Sequence, residues 1–449
     1  MIEKTILGHP LGLFVLFFTE MWERFSYYGM RALLVLYMTQ HLIESAHSGH
    51  PVLGFGFLQA FLESLYGPLA TQPLASQIYG LYTGLVYFTP FFGGMIADLF
   101  WGQRKAVVVG GLLMAAGHFL MAIESLFLVA LSFLIIGNGF FKPNISTQVG
   151  RLYPEGDPRR DGAFTIFYMG INLGAFFAPL VCGTLGQVYG WHYGFAAAGI
   201  GMLIGLAVYL FGQRYLPESL LKDKTAALDQ DQSLTRQDWQ TIGGLVILAT
   251  INILFWAVYE QQGNTLQLFA DKNTDWQLGS WQMPSTWFQS LNPLFIFILA
   301  PLLDRFSRVL VRYGKDPSTI SKMSLGALML SLSFLVLYFV LKDTLATDKI
   351  SCGWLVLCTF IYTTGELYLS PIGLSLVSKV SPVKWVSLLM GMWFLSSFFG
   401  NYLSGYLGTF YDTLSKDHFF LMLSIIAGVT GLAIMCVKPL LKQVNRSVH

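Results

Sequence analysis

The stretch that decides the fold is Glu20-Met21-Trp22-Glu23-Arg24-Phe25-Ser26-Tyr27-Tyr28-Gly29-Met30-Arg31, in which four charged side chains interrupt a long apolar run. At helical spacing, six of its polar side chains share one face: Glu20, Glu23, Arg24, Tyr27, Tyr28 and Arg31. A charge at the middle of a bilayer costs about 2.5–3.5 kcal/mol, so such residues normally face a protein interior or a water-filled cavity. The stretch therefore predicts a membrane-spanning helix with a functional polar face. The alternative is a purely structural ion pair between Glu20 and Arg24.

The composition is that of a protein that crosses the membrane many times. Of the 449 residues, 54% are hydrophobic and only 12% are charged, whereas roughly 25% are charged in soluble domains. Lys and Arg are scattered in loops rather than clustered on one face, which argues against a nucleic-acid partner. The cysteines show no metal-ligand spacing and are interpreted as packing residues: Cys182, Cys352, Cys358 and Cys436. Neither a cofactor nor a metal site is predicted.

Twelve apolar segments reach the length needed to cross a bilayer, about 20 residues. They are predicted near residues 11–41, 76–100, 104–124, 126–148, 162–186, 190–215, 239–269, 284–312, 318–342, 353–378, 384–411 and 418–440. The fold class is therefore an all-α integral membrane protein with twelve transmembrane helices.

The distribution of basic residues supports this count. If the N-terminus is cytoplasmic, the outer loops hold only four of the 27 Lys and Arg residues, Lys272, Lys342, Lys349 and Lys416. Such a bias predicts that both termini are cytoplasmic. The moderately apolar segment 52–70 is predicted to be an outer loop with a short surface helix, because a span there would reverse every later loop and abolish the bias.

A polar stretch divides the chain after the sixth helix. We predict two six-helix bundles, residues 1–216 and 239–449, joined by a cytoplasmic linker over 217–238. A weak internal echo supports the division, since Asp98 closes the second helix and Asp304 closes the eighth, each followed by basic residues. Paired bundles with a substrate site at the membrane midplane are typical of alternating-access transporters, including the major facilitator superfamily.

Charged residues inside the spans suggest two ion pairs between the halves. Depth along the helices, at 1.5 Å per residue, places Arg31 and Glu260 in the outer half of the membrane. Lys142 and Glu366 both lie at or below the midplane. Pairs at two depths suit alternating gates, because protonation of a carboxylate weakens its pair. Static structural pairing is the alternative for each.

Neutral polar side chains also occur inside spans, and they can both donate and accept hydrogen bonds. Each one alone is explained by an interhelical hydrogen bond. Together with the fixed charges they predict a cavity for a zwitterion: Tyr87, Asn172, Gln289, Asn292, Trp393 and Ser397.

These residues resemble the proton-dependent oligopeptide transporter family of the major facilitator superfamily. The specific blocks are Glu20-x-x-Glu23-Arg24-Phe25-Ser26-Tyr27-Tyr28-Gly29-Met30-Arg31 and Phe167-Tyr168-Met169-Gly170-Ile171-Asn172-Leu173-Gly174. Further similarity lies in Gly93 to Asp98, Phe141 to Asn144, Asp157 to Asp161, Trp256 to Gly263, Phe288 to Pro293, Glu366 to Pro371 and Trp393 to Ser397. One departure is that the linker is too short for the extra helical hairpin that bacterial members commonly carry.

The resemblance implies proton-driven uptake of di- and tripeptides by a protein of the bacterial plasma (inner) membrane, with protons as the coupling ion. It implies proton coupling by Glu20, Glu23, Arg24, Glu260 and Glu366, and gating by Arg31 with Glu260 and by Lys142 with Glu366. The peptide site is implied to include Tyr27, Tyr28, Arg31, Tyr87, Lys142, Asn172, Trp256, Asn292, Glu366, Trp393 and Ser397. The transporter is expected to act as a monomer.

The sequence supports two alternative functions to different degrees. A proton-coupled carrier of the same scaffold for nitrate, an amino acid or a drug-like molecule stays open, because the polar residues do not exclude these substrates. An intramembrane enzyme is disfavoured, since the spans carry no evident nucleophile and base or metal set.

Overall fold

The computed structural model describes residues 5–154, 156–218, 235–345, 348–381 and 385–438. Within these ranges the α-helices are α1 (Leu11–Tyr37), α2 (Ile43–His47), α3 (Phe55–Tyr66), α4 (Thr71–Ile96), α5 (Gln103–Leu120), α6 (Phe127–Arg151), α7 (Arg160–Ala178), α8 (Trp191–Gly212), α9 (Arg236–Tyr259), α10 (Thr265–Lys272), α11 (Leu291–Arg312), α12 (Thr319–Leu341), α13 (Cys352–Val380), α14 (Val386–Gly408) and α15 (Lys416–Val437). The structure is thus all-α, as predicted.

The strands are two residues long and lie outside the predicted spans. They are β1 (Thr5–Ile6), β2 (His9–Pro10), β3 (Thr274–Asp275), β4 (Gln277–Leu278), β5 (Trp281–Gln282) and β6 (Ile350–Ser351). β1 pairs antiparallel with β2 and β4 with β5, whereas β3 pairs parallel with β6. Each of the three sheets among the described residues therefore has two strands.

Several α-helices continue directly into π-helical or 3-10 segments. π-helical segments follow α1 at Met38–Leu42, α4 at Ala97–Trp101, and α7 at Pro179–Gly183 and Leu185–Tyr189. A 3-10 turn, Glu260–Gly263, separates α9 from α10, and another, Ser285–Ser290, precedes α11. Such irregular turns inside helices are frequent at functional sites.

Each of the twelve predicted spans coincides with a described helix. Among the described residues, eight helices with their continuations are apolar and long enough to cross a membrane: Thr71–Trp101, Glu124–Arg151, Arg160–Tyr189, Trp191–Tyr215, Asp238–Lys272, Thr319–Leu341, Cys352–Val380 and Lys416–Val437. The other four predicted spans coincide with α1, α5, α11 and α14. The segment 52–70 forms only the short helix α3, which confirms the surface helix.

The first compact unit comprises Met1–Ala75, Leu85–Ala226 and Met283–Pro293. In it α1 packs against α7 and α8, and α5 packs against α6 and α8. Helices α4 and α6 approach so closely at Gly93 and Gly139 that a Cβ on Gly93 would overlap the carbonyl oxygen of Gly139. The C-terminal part of α1, Ala32–Leu36, is fully buried.

The second compact unit comprises Ser76–Gly84, Ala227–Gln282 and Leu294–His449. In it α12 packs against α13 and α15, and α9 packs against α14 and α15. Helix α9 begins at a capping box, in which Thr235 Oγ1 accepts from Asp238 N–H and the Asp238 carboxylate accepts from Thr235 N–H.

Most of the predicted linker, residues 219–234, lies outside the described residues. The predicted domain boundaries, 1–216 and 239–449, stay a prediction.

Candidate functional site

Three charged side chains of α1 form a buried cluster in the first unit. Arg24 Nε lies 3.3 Å from Glu20 Oε1, and Arg24 Nη2 donates a 2.7 Å hydrogen bond to Glu23 Oε1. The same Nε also donates to Glu23 Oε2. All three side chains are almost completely shielded from solvent. The ion pair predicted between Glu20 and Arg24 is therefore present, but the guanidinium binds Glu23 in a bidentate manner.

The bonding pattern distinguishes the two acids. Both oxygens of Glu23 are held by Arg24, whereas Glu20 Oε2 accepts no hydrogen bond. Two carboxylates beside one guanidinium carry a net negative charge when both are ionised, and such a charge is costly where water is excluded. One proton bound at Glu20 would remove that charge without breaking the bidentate pair.

Asn138, which was not singled out from the sequence, connects this cluster to two neighbouring helices. Its Oδ1 accepts a 3.3 Å hydrogen bond from Arg24 Nη2, and its Nδ2 donates a 2.9 Å bond to the backbone oxygen of Val86 on α4. Asn138 itself lies on α6 and is buried. A single amide thus fixes the guanidinium relative to three helices of the first unit.

The remaining predicted residues on α1 lie toward the far end of the same helix. The Arg24 guanidinium lies 5.1 Å from the ring centre of Tyr27, and the Arg31 guanidinium lies 5.9 Å from that of Tyr28. The two tyrosine rings meet edge to face at 5.2 Å. Arg31 is buried. The polar face predicted from helical spacing is therefore continuous over about three turns.

Lys142 on α6 extends the charged region. Its ammonium lies 4.6 Å from the ring centre of Tyr87 on α4, a cation–π geometry. Lys142 is also within electrostatic reach of Glu20. A change in the surroundings of the Lys142 ammonium therefore alters the electrostatic potential at Glu20, whose Oε2 accepts no hydrogen bond.

In the second unit, the break after α9 carries the predicted acid Glu260. Glu260 begins the 3-10 turn and is buried. The preceding Tyr259 donates a 2.6 Å hydrogen bond to Glu366 Oε2 on α13. Tyr362, one turn before Glu366 on α13, donates a 3.2 Å bond to Gln262 Oε1. Two tyrosines thus tie the break to α13, and neither was predicted as a site residue.

The predicted tryptophans pack in the same unit. Trp256 contacts the rings of Phe255 and Tyr259, each at 5.5 Å between centres. Its indole N–H is shielded from solvent and has no hydrogen-bond acceptor. Trp393 on α14 is buried and lies so close to Gly373 of α13 that a Cβ there would overlap its ring. Trp256 is therefore a donor without a protein partner, whereas Trp393 fills space between helices.

The neutral polar residues predicted from the sequence lie in both units. Asn172 is buried in the first unit and donates a 3.0 Å hydrogen bond to the Tyr168 backbone oxygen within α7. Ser397 is buried in the second unit, where its backbone oxygen accepts a 2.8 Å bond from Asn401 Nδ2. Asn292, on the first turn of α11, is half-buried.

Arg31 and Lys142 belong to the first unit, whereas Glu260 and Glu366 belong to the second. The two predicted gating pairs stay predictions. Among the described residues, no group of three or more His, Cys, Asp or Glu side chains is arranged to hold a metal ion.

Comparison with known proteins identifies a family. The model of the POT family, PTR2, matches residues 104–230 and 231–422. Peptide transporter YePEPT of Yersinia enterocolitica is 33% identical over 473 residues, covering 90% of this chain and 88% of that protein. A di-/tripeptide transporter of Lactococcus lactis subsp. cremoris is 32% identical over 512 residues, covering 98% and 97%. That alignment is longer than the chain itself, so the relative carries segments that have no counterpart here.

A solved structure supports the fold. The crystal structure of a peptide transporter, POT, in a glutamate-to-glutamine variant in complex with alafosfalin, has a TM-score of 0.84 and 34% identity, covering 99% of this chain and 97% of that one. The twelve-helix major facilitator fold expected from the sequence is thereby confirmed.

Proposed function

Because the chain belongs to the POT family of transporters, we propose that it imports di- and tripeptides together with protons by alternating access. The observation that carries the proton coupling is the buried cluster of Glu20, Glu23 and Arg24, in which one carboxylate oxygen has no hydrogen-bond donor. Peptides are the proposed substrate because relatives that align over nearly their whole length are named as peptide transporters.

The proposed coupling follows from charge balance. With Glu20 ionised, the cluster on α1 has an excess negative charge that nearby cations must balance. With Glu20 protonated, the neutral Glu23–Arg24 pair remains and the negative charge near Lys142 is smaller. Proton binding at Glu20 would therefore favour capture of a carboxylate near Lys142, and proton release would favour its loss.

Each unit offers groups that complement a peptide. In the first unit, Arg31 and Lys142 suit the carboxyl terminus, while Tyr27, Tyr28, Tyr87 and Asn172 offer hydroxyl and amide groups. In the second unit, the Glu366 carboxylate suits the amino terminus, and the indole N–H of Trp256 has no protein acceptor. Asn292, Trp393 and Ser397 are the further proposed binding residues.

The transporter works as a monomer in the bacterial plasma (inner) membrane, with both termini cytoplasmic and with no cofactor. Arg31 with Glu260 and Lys142 with Glu366 act as gates, and Glu260 and Glu366 contribute to coupling. The organisation is two six-helix halves joined by the linker at 217–238.

The test is uptake of labelled dialanine into proteoliposomes with an inward proton gradient. We expect uptake that exceeds the level in protein-free liposomes, collapses when a protonophore is added and is inhibited by unlabelled dipeptides. Uptake that is indifferent to the gradient would refute symport. Failure of any dipeptide to enter or to compete would refute the substrate, and nitrate and single amino acids are then the next substrates to assay.

A further inference from the structure

The outer segment between α2 and α4 contains a helix that the proposed transport cycle does not use. Helix α3 runs from Phe55 to Tyr66 and is bounded by Gly54 and Gly67, whose φ angles are 79° and 80°. These left-handed conformations favour glycine, so the chain turns sharply into and out of the helix. The segment is therefore a separate, sharply delimited element.

One face of α3 is apolar and exposed. Phe57 is 82% exposed, Phe61 49% and Leu65 56%. They recur every four residues, which aligns them on one side of a helix. Ser64 lies on the same side, but its hydroxyl donates a 2.7 Å hydrogen bond to the Phe61 backbone oxygen and needs no water. The whole stripe can thus leave water without stranding a polar side chain.

The opposite face of α3 is fixed to the protein. Phe55 and Leu62 are buried, and the His47 ring contacts Phe55 edge to face at 5.9 Å. The backbone N–H of Leu53 donates a 2.8 Å hydrogen bond to the Ser125 oxygen, in the turn just before α6 begins. These contacts hold α3 at the level at which the spans end, with its apolar stripe turned away from the protein.

The short connection between α3 and α4 supports the placement of α3 near the ends of the spans. Only four residues separate the end of α3 from the start of α4, whose helix can cross the membrane. Four extended residues reach at most about 14 Å, so the end of α3 lies within about 14 Å of the start of α4. The stripe is therefore within reach of lipid, and water would be an unfavourable surrounding for it.

We propose that α3 is an interfacial helix that lies in the plane of the membrane and inserts Phe57, Phe61 and Leu65 into the leaflet at the ends of α2 and α4. A helix of this kind binds through its buried apolar area and, when it carries basic residues, through anionic headgroups. Between residues 53 and 66 the only charged side chain is Glu63. The insertion of α3 is therefore independent of lipid charge. The alternative is that a protein outside the membrane, rather than lipid, covers the apolar stripe.

Spin labelling of the full chain in proteoliposomes tests this placement. Labels are attached at Phe57→Cys and Phe61→Cys, with Cys352 and Cys436 changed to Ser because both are accessible, whereas Cys182 and Cys358 are buried. The accessibility of each label to oxygen, which partitions into lipid, is compared with its accessibility to a water-soluble nickel complex. The lipid reference is Ile425→Cys, an exposed position inside the α15 span, and the water reference is the exposed Asp343→Cys.

The expected result is that both labels resemble Ile425→Cys, with a ratio of oxygen to nickel accessibility several-fold above that of Asp343→Cys. The ratio should be equal in vesicles of phosphatidylcholine alone and in vesicles with added phosphatidylglycerol. Labels that resemble Asp343→Cys at both positions would overturn the proposal and favour a protein partner. Insertion only with the anionic lipid would also overturn it, because apolar burial would not then be sufficient. Neither result depends on peptide transport, so the proposed function stands or falls separately.

Discussion

The hydroxyl of Tyr259 donates a 2.6 Å hydrogen bond to the carboxylate of Glu366, and this bond joins the end of α9 to the middle of α13 within the second unit. Because α9 breaks into a 3-10 turn at the next residue, the bond fixes both the carboxylate and the position of the break.

We expect Tyr259→Phe to lower gradient-driven dialanine uptake about tenfold, because a hydrogen bond to a charged group contributes about 1.5–3 kcal/mol. The matched control is Tyr362→Phe, whose hydroxyl donates a longer, 3.2 Å bond to the neutral Gln262. Its effect should be only a few-fold. Uptake assays at equal protein density measure both, and equal losses in the two variants would contradict a special role for Tyr259.

Single substitutions of the two acids on α1, Glu20 and Glu23, distinguish a role in proton binding from a role in stability. Glu20→Gln mimics the protonated acid, so gradient-driven uptake should fall at least tenfold while peptide counterflow between equilibrated compartments changes less than about twofold. Glu23→Gln removes a buried bidentate partner of Arg24, which costs about 3–5 kcal/mol. It should impair both assays and lower the melting temperature. If uptake by Glu20→Gln still depended on the proton gradient as in the wild type, Glu20 would not be the proton-binding site.

Asn138→Ala tests the link between Arg24 and its neighbouring helices. It removes two buried hydrogen bonds, which costs about 1–3 kcal/mol in stability, and it leaves the guanidinium free to move. Uptake should fall about tenfold. Thr147→Ala on the same helix, where the exposed hydroxyl bonds only the preceding turn, should be nearly neutral. Normal uptake by Asn138→Ala would show that the contacts with Glu20 and Glu23 are sufficient to position Arg24.

Gly93→Ala should disrupt the packing of α4 on α6, because the added methyl group overlaps the Gly139 carbonyl oxygen. Overpacking of this kind costs about 1–3 kcal/mol or more, seen as a lower melting temperature in detergent. Gly391→Ala in α14 meets no atom within 4 Å and should be neutral or slightly stabilising, since Ala is preferred to Gly in helices by about 1 kcal/mol. Similar melting temperatures for the two variants would contradict the close approach.

Asp157, in the loop between α6 and α7, should contribute to stability in a pH-dependent manner. Hydrogen bonds from Arg159 lower the pKa of Asp157 from its usual 3.8 to about 2. Since the folded state favours the ionised form, the contribution is present above about pH 4 and is lost as the pH falls toward 2. Asp157→Asn should therefore lower the melting temperature slightly at pH 6, and the difference from wild type should shrink at pH 3. Asp161→Asn controls for loss of a nearby charge. A difference that is constant with pH would refute the assignment.

The sequence was sufficient for the parts of the molecule that depend on local pattern. Span lengths follow from bilayer thickness, and the polar face of α1 follows from the helical repeat, so Glu20 and Arg24 were correctly expected to lie together. The surface helix in 52–70 followed from the charge bias of the loops, since any other placement would have reversed the later spans.

The sequence did not indicate Asn138 or Tyr259, because nothing in their local sequence distinguishes them. Asn138 lies 114 residues from Arg24, and Tyr259 lies 107 residues from Glu366. The sequence also did not distinguish the two acids beside Arg24, because adjacency along a helix does not say which carboxylate the guanidinium faces.

The sequence by itself thus determined that the chain crosses the membrane twelve times and that charges concentrate on one face of its first span, because hydrophobicity and helical periodicity are local properties. Only the tertiary structure decided that Arg24 holds both oxygens of Glu23 and leaves an oxygen of Glu20 without a donor. Which carboxylate oxygens Arg24 binds depends on side chains that packing between helices brings together. Those contacts determine which buried polar groups obtain hydrogen-bond partners.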